Sequence, residues 1–148
     1  MKEISPNQSN IRNDIVYEVN SQTPFTGFVV EHYDTGGILF KSCYKDGLLN
    51  GPYEKYYENG QIEHKYTYMN GVLDGLYESY YENGQLLLKQ NYKDNIEDGP
   101  CESYYENGQL AFKRTFKNGA LNGVFEEYYE NGQLKEKTFY KDGKLLPS

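Results

Sequence analysis

The sequence lacks the features that mark a membrane protein or a nucleic-acid-binding protein. It contains no apolar run of 18 residues, and its first ten residues show no apolar stretch typical of a signal peptide. Lysine and arginine number 15 against 22 aspartates and glutamates, which gives a net charge of −7. Nucleic-acid-binding proteins need a basic surface, so this charge argues against that class. We therefore expect a cytoplasmic protein that binds neither nucleic acid nor anionic membranes.

Aromatic residues, by contrast, are abundant and follow a tandem repeat. The chain has 17 tyrosines and 7 phenylalanines, too many for an acidic disordered chain. The hexapeptide Tyr-Tyr-Glu-Asn-Gly-Gln occurs at residues 56–61, 80–85, 104–109 and 128–133, with a period of 24. A period of this length is typical of repeat proteins, whose units bury their apolar faces against one another.

Glycines keep the same period and predict where the chain turns. One column opens each repeat and a second follows asparagine in the hexapeptide, and we predict a structural role for both. These columns are Gly27, Gly51, Gly75, Gly99 and Gly123, and Gly60, Gly84, Gly108 and Gly132. A third column contains Asn95 in place of glycine, and asparagine is the other residue that best tolerates positive φ. Asn-Gly and Asp-Gly pairs are typical of type I′ turns, so we predict two such turns in each repeat.

The spacing of the turns predicts an all-β fold. We expect a single-layer antiparallel β-meander of tandem 24-residue hairpins, elongated and twisted. Two-residue turns fix the register, and with Asn59-Gly60 at the tip Glu54 faces Lys65. The same arithmetic gives three further pairs of opposite charge, Glu78 with Lys89, Glu102 with Lys113, and Glu126 with Lys137. In this register one face of the meander is aromatic and the other is mostly polar. The second tyrosine of each hexapeptide, such as Tyr57, is predicted to lie on the aromatic face.

The two ends of the chain depart from the repeat. We expect residues 1–13 to form a disordered N-terminal arm and residues 147–148 to form a short tail. Residues 14–146 are predicted to form one repeat domain, in which residues 14–26 are a degenerate cap. The repeats then start at residues 27, 51, 75, 99 and 123.

Two segments resemble known repeat families. Residues 44–60, Tyr-Lys-Asp-Gly-Leu-Leu-Asn-Gly-Pro-Tyr-Glu-Lys-Tyr-Tyr-Glu-Asn-Gly, resemble a variant of the MORN repeat. The opening "TPFTGFVVEHYDTGG" at residues 23–37, followed by tandem "YYENGQL" units, resembles the bacterial YwqK family of antitoxins. Together the resemblances imply a single-layer antiparallel β-sheet repeat protein. The second also implies an antitoxin or immunity protein that neutralises a partner toxin.

The scarce catalytic residue types form no recognisable site. His32 and His64 stand in different repeat columns on opposite predicted faces, which argues against a shared metal site. Cys43 and Cys101 also lie on opposite predicted faces, so we expect no disulfide between them. The chain has no phosphate-binding glycine loop and no kinase signature. We expect no catalytic residue, no metal and no cofactor.

Two rows of side chains remain as candidates for partner binding. The acidic edge has glutamine or glycine, rather than lysine, opposite its carboxylates, and consists of Asp34, Glu58, Glu82, Glu106 and Glu130. The tyrosine row lies two residues away on the same predicted face, and consists of Tyr56, Tyr80, Tyr104 and Tyr128. One interpretation is a solvated turn edge whose tyrosines pack across the sheet. The other is a binding surface, because tyrosine is favoured at interfaces and acidic surfaces attract basic partners.

These observations favour a non-enzymatic protein–protein interaction module. The most specific hypothesis is an antitoxin or immunity protein that binds a toxin, and a basic toxin domain would suit the net charge of −7. The alternative is a membrane-associated or scaffolding protein of the MORN type.

Overall fold

The computed structural model describes residues 1–148 and is composed almost entirely of β-strands. A single turn of 3₁₀-helix at Pro6–Gln8 is the exception. The chain divides into two compact units, residues 1–73 and 74–148. In both units, strands that follow one another in the chain lie side by side, mostly antiparallel. The predicted single-layer antiparallel β-meander is confirmed.

The first unit contains eight strands. Its meander starts at β4, while β2 and β3 form a separate hairpin and β1 runs parallel to β4. The strands are β1 (Glu3–Ile4), β2 (Ser9–Arg12), β3 (Ile15–Glu18), β4 (Gly27–His32), β5 (Ile38–Lys45), β6 (Leu48–Tyr56), β7 (Ile62–Met69) and β8 (Val72–Leu73).

The second unit repeats the same arrangement without an N-terminal hairpin. In it, β13 and β16 are two-residue strands that fold back on their predecessors. The strands are β9 (Gly75–Tyr80), β10 (Leu86–Lys93), β11 (Ile96–Tyr104), β12 (Leu110–Lys117), β13 (Ala120–Leu121), β14 (Gly123–Tyr128), β15 (Leu134–Lys141) and β16 (Lys144–Leu145).

One of the two predicted turns in each repeat is a type I′ turn. Both central residues have positive φ there, as at Asp46 (50°) and Gly47 (79°). Where the third glycine column contains asparagine, Asp94 and Asn95 still adopt φ values of 47° and 66°. Asparagine therefore substitutes for glycine in the left-handed region, as the sequence predicted.

The Asn-Gly turn of the hexapeptide differs from the prediction. Only Gly60 has positive φ (88°), and the N–H of Gly60 donates to the Tyr57 carbonyl at 2.9 Å. The N–H of Tyr57 in turn donates to the Gln61 carbonyl at 2.8 Å. These bonds define a three-residue loop built on a type I turn, with glycine at its left-handed third position. The prediction of a two-residue type I′ turn at this place was wrong.

The predicted charge pairs nevertheless occur, because a second irregularity restores the register. Tyr56 lies opposite Ile62 whereas Lys55 lies opposite His64, so Glu63 is an extra residue in β7. The longer loop and this bulge offset each other by one residue. All four predicted pairs are confirmed, namely Glu54 with Lys65, Glu78 with Lys89, Glu102 with Lys113, and Glu126 with Lys137.

The N-terminal residues have more structure than the sequence predicted. We expected a disordered arm over residues 1–13, but β1, the 3₁₀-helix and β2 lie there. Ile4 is buried with Val16, Phe25 and Val29 in the main apolar cluster of the first unit. The N–H of Phe28 also donates to the Lys2 carbonyl at 2.8 Å. Burial of one isoleucine and pairing with β4 hold this segment against the first repeat.

Aromatic side chains pack against one another along one face of each unit, as predicted. In the first unit the ring centroid of Tyr53 lies 5.8 Å from that of Phe40 and 5.9 Å from that of Tyr66. In the second unit Phe125 meets Phe112 edge to face at 6.2 Å. Each ring contacts a strand neighbour, so the apolar face is built from contacts between consecutive strands.

Candidate functional site

The tyrosine row lies at the ends of the strands that precede each hexapeptide turn. Each of these half-buried side chains donates its hydroxyl to the glutamate two residues earlier on the same strand. The O···O distances are 2.7 Å for Tyr56 to Glu54, 2.5 Å for Tyr80 to Glu78, 2.6 Å for Tyr104 to Glu102, and 2.8 Å for Tyr128 to Glu126. The tyrosine row is therefore hydrogen-bonded within the sheet.

These hydrogen bonds raise the pKa of the tyrosines, and at Glu126 the pKa of the glutamate is lowered. Burial and the bond to glutamate raise the pKa of Tyr56 and of Tyr80 to about 12. For Tyr104 the bond to Glu102 is the larger cause, and its pKa is also raised to about 12. The bonds from Tyr128 and Lys137 lower the pKa of Glu126. The hydroxyls are thus engaged as hydrogen-bond donors within the sheet.

The acidic edge lies immediately beyond the tyrosine row. Each of its carboxylates occupies the first residue of a hexapeptide-type loop and is exposed to solvent. In the first unit these residues are Asp34 and Glu58. In the second unit they are Glu82, Glu106 and Glu130. This position follows from the three-residue loop, which projects its first residue away from the strand pair.

A groove of about 480 Å³ opens at the acidic edge of the second unit. Tyr81, Tyr105, Glu106, Asn107 and Glu130 line it. Burial, followed by the charges of Glu106 and Glu130, raises the pKa of Tyr81. The groove therefore combines two aromatic rings with two exposed carboxylates, which are the groups that bind cationic side chains.

The groove brings together residues that the sequence placed apart. We expected the second tyrosine of each hexapeptide on the aromatic face, away from the acidic edge. Instead the Tyr81 hydroxyl donates to the Tyr104 carbonyl at 2.8 Å, and the Tyr105 hydroxyl to the Tyr128 carbonyl at 2.7 Å. The doubled tyrosine at a fixed distance from the turn was the sequence signal. Its position could not be assigned because the loop is one residue longer than predicted.

The remaining reactive side chains are dispersed. His32 is exposed. Nε2 of His64 lies 3.4 Å from Oε1 of Glu63, and the His64 ring packs beside Tyr66. Cys43 and Cys101 are both free thiols. No group of three or more histidine, cysteine, aspartate or glutamate side chains is arranged to hold a metal ion. The chain also has no helical segment with the length and apolarity needed to cross a lipid bilayer.

A comparison with protein families identifies the repeat. Four consecutive segments match the family described as MORN repeat variant, and together they cover more than half of the chain. The matched segments are residues 49–70, 73–94, 97–118 and 121–146. No curated protein matches the sequence significantly. The matched segments contain the hexapeptide turns, and each of the first three segments ends at the first central residue of a type I′ turn, namely Asn70, Asp94 and Asn118.

Proposed function

This chain belongs to the MORN repeat variant family, and we propose that it is a non-enzymatic interaction module that binds a basic partner protein. Repeats of this family suggest a repeat-based interaction or scaffolding module. The finer proposal is that the partner is a toxin and that binding neutralises it in the cytoplasm. The resemblance of residues 23–37 and of the tandem hexapeptides to the YwqK antitoxins supports this finer proposal.

The groove at the acidic edge is the observation that carries the proposal. Glu106 and Glu130 are exposed, and they stand beside the rings of Tyr81 and Tyr105. A lysine or arginine side chain that entered the groove would meet two carboxylates and two aromatic faces. The net charge of −7 would also accelerate the approach of a basic partner.

The repeat supports a contact larger than one groove. Exposed carboxylates recur at the corresponding loops, at Asp34 and Glu58 in the first unit and at Glu82 in the second. A partner with several basic side chains would therefore find carboxylates at successive loops within one unit. Neutralisation would follow if these basic side chains belong to the active surface of the toxin, because the bound module would cover them.

Co-expression tests the proposal directly. The chain is expressed with the toxic product of its neighbouring reading frame, and growth and co-purification are measured. Rescue of growth together with a stable complex is the expected result. If the neighbouring product is toxic and is neither rescued nor bound, the antitoxin proposal is overturned. Flotation of the chain with anionic vesicles would instead favour the membrane-associated alternative.

A pair of charge-reversal variants tests the surface. Glu106→Lys with Glu130→Lys should weaken the complex about tenfold and reduce its dependence on salt concentration. Glu97→Lys with Glu127→Lys is the matched control, because it changes the net charge equally but leaves the groove intact. Equal loss of affinity in the two double variants would show that net charge, and not the groove, governs binding.

A further inference from the structure

Strand β15 is paired along its length on only one side. β14 lies against it from Leu134 to Tyr140. On the other side β16 pairs only with Tyr140 and Lys141, and the N–H of Leu146 donates to the Phe139 carbonyl at 2.7 Å. No strand lies against the outward side of residues 134–138. We call these residues the open segment.

The backbone of the open segment is oriented to accept another strand. In an antiparallel strand, the N–H and C=O groups of alternate residues point to the same side. The Phe139 carbonyl points outward to Leu146, so the N–H and C=O of Lys137 point outward as well. Lys113, one repeat earlier, occupies the equivalent place and faces Glu126 of the following strand. The open segment thus lacks the neighbour that β12 has.

The charge pattern of the second unit indicates which charge a strand beside the open segment should have. Lys89 lies between Glu78 on one strand and Glu102 on the next, and Lys113 lies between Glu102 and Glu126. Lys137 has Glu126 on one side, with 3.0 Å between Nζ and Oε1. Its other side faces no strand. A carboxylate there would complete the alternation of glutamate and lysine across the sheet.

Apolar side chains around the open segment are exposed. Leu134 retains 51% of its accessible surface, Phe139 retains 48%, and Leu145 retains 60%. Addition of a strand would cover part of this surface and would satisfy the outward backbone groups of Lys137.

A second copy of the chain is a poor occupant. Two copies of β15 related by a two-fold axis perpendicular to the sheet would pair in registers centred on residue 135, 136 or 137. These registers place Lys135 opposite Lys135, Lys135 opposite Lys137, or Lys137 opposite Lys137 of the second copy. Like charges directly opposite each other destabilise a strand pair. The lysines therefore disfavour self-association and leave the open segment available to an acidic strand.

We propose that the open segment binds an extended acidic segment of a partner protein by strand addition. The incoming strand runs antiparallel to β15 and places a carboxylate opposite Lys137, with apolar side chains over Leu134 and Phe139. This surface is separate from the acidic edge and takes a partner segment of the opposite charge. The chain would accordingly present two docking surfaces with different charge preferences.

A peptide taken from the chain itself provides the probe. Residues 124–130, Val-Phe-Glu-Glu-Tyr-Tyr-Glu, contain the glutamate that faces Lys113 in the preceding repeat. We expect a labelled peptide of this sequence to bind the 148-residue chain saturably in fluorescence anisotropy. Amide exchange should slow at Lys137 in the complex. A peptide with both central glutamates replaced by lysine should bind about tenfold more weakly.

Variants of Lys137 separate the contributions of charge and backbone. Lys137→Gln removes the charge and should weaken peptide binding several-fold, by roughly the strength of one cross-strand pair. Lys137→Pro also removes the outward N–H, and should abolish binding while the pairing with β14 persists. Lys117→Gln, an exposed lysine of β12, is the matched control and should bind as the unaltered chain does. Circular dichroism and thermal unfolding establish that each variant is folded.

Three results would overturn the proposal. The first is no binding of the peptide at millimolar concentration. The second is binding that is indifferent to the glutamate-to-lysine exchange or to Lys137→Pro. The third is self-association of the chain alone with slowed exchange at Lys137, which would assign the open segment to a second copy.

Discussion

The Tyr81 hydroxyl donates a hydrogen bond to the main-chain carbonyl of Tyr104, and so joins one hexapeptide to the next. Tyr105 makes the same contact with Tyr128 in the second unit, and Tyr33 makes it with Tyr56 in the first. The acceptor is in each case the last residue of a strand. The second tyrosine of the hexapeptide therefore satisfies a carbonyl of the following repeat.

Removal of this hydroxyl should destabilise the protein. We expect Tyr81→Phe to lower the free energy of unfolding by about 0.5–1.5 kcal/mol, because it deletes one hydrogen bond and retains the ring. Urea unfolding followed by circular dichroism measures the change. Tyr129→Phe is the matched control, since Tyr129 is 51% exposed and its hydroxyl makes no hydrogen bond in the structure. Equal effects of the two substitutions would contradict the assigned role of the Tyr81 hydroxyl.

A second contact joins consecutive repeats at their type I′ turns. The N–H of Asn118 donates to Oδ1 of Asp98 at 3.1 Å, and the N–H of Gly119 donates to the Glu97 carbonyl at 2.8 Å. The corresponding bond in the first unit runs from the N–H of Asn70 to Oδ1 of Asn50 at 3.1 Å. Both ends of the hairpins are thus held to their neighbours, which is the nearest-neighbour stability expected of a repeat protein.

The sequence predicted the fold and the cross-strand charge pairs correctly. The structure, however, forms the charge pairs through a different turn from the one predicted. Glycine and asparagine at fixed spacing located the turns of the repeats, since few other residues adopt positive φ without cost, but the turn at Asn13 and Asp14 between β2 and β3 was not predicted. The pairing of Glu54 with Lys65 was also correct. However, it depends on a loop one residue longer than predicted and on the compensating bulge at Glu63. No local sequence pattern predicted the longer loop or the bulge.

The candidate site was less accessible to sequence reasoning. The acidic edge follows from repetition alone, but the groove depends on where Tyr81 and Tyr105 project, and that depends on the loop type. The order in residues 1–13 depends on the burial of Ile4, on the pairing of β1 with β4 and on the pairing of β2 with β3. A contact that a single side chain makes with a distant strand produces no periodic pattern in the sequence, so it cannot be predicted from the repeat.

The loop type makes a prediction about two adjacent glycines. Gly36 has a φ of 95° whereas Gly37 does not lie in the left-handed region, and a Cβ at either position would meet no atom within 4 Å. We expect Gly36→Ala to cost about 1–2 kcal/mol from backbone strain alone. Gly37→Ala should be neutral or slightly stabilising, because it restricts the unfolded chain. Chemical unfolding of the two variants measures the difference, and equal stabilities would contradict the three-residue loop.

The tyrosine row predicts a loss of stability at high pH. The pKa values of Tyr56, Tyr80 and Tyr104 are about 12 in the folded chain, above the ordinary value of 10.0. The folded state therefore holds these protons more tightly than the unfolded state does. Their contribution to stability is fully present below pH 10 and is lost as the pH rises from about 10 to 12. Denaturant midpoints measured across this range should fall, and ultraviolet absorbance should show late-titrating tyrosines.

Glutamate substitutions test the cause of these shifts. The hydrogen bond from Glu102 is the main cause at Tyr104, whereas burial is the main cause at Tyr56. Glu102→Gln should accordingly lower the pKa of Tyr104 by more than Glu54→Gln lowers that of Tyr56. Titration of the tyrosine ring carbons by NMR reads the two residues separately. Small and equal decreases at the two residues would show that burial dominates at both positions.

The two free cysteines should differ sharply in their reactivity. Cys101 retains only 1% of its accessible surface, and burial raises the pKa of its thiol despite the neighbouring Arg114. Cys43 is partly exposed. Alkylation requires an accessible thiolate, so Cys101 should react only when the second unit opens locally.

We expect iodoacetamide to label Cys43 at least about 100-fold faster than Cys101 in the folded chain, as an opening free energy of a few kcal/mol implies. In denaturant the two rates should converge. Peptide mass spectrometry gives both rates in one sample, and comparable labelling of the folded chain would show that the aromatic face does not exclude solvent at Cys101.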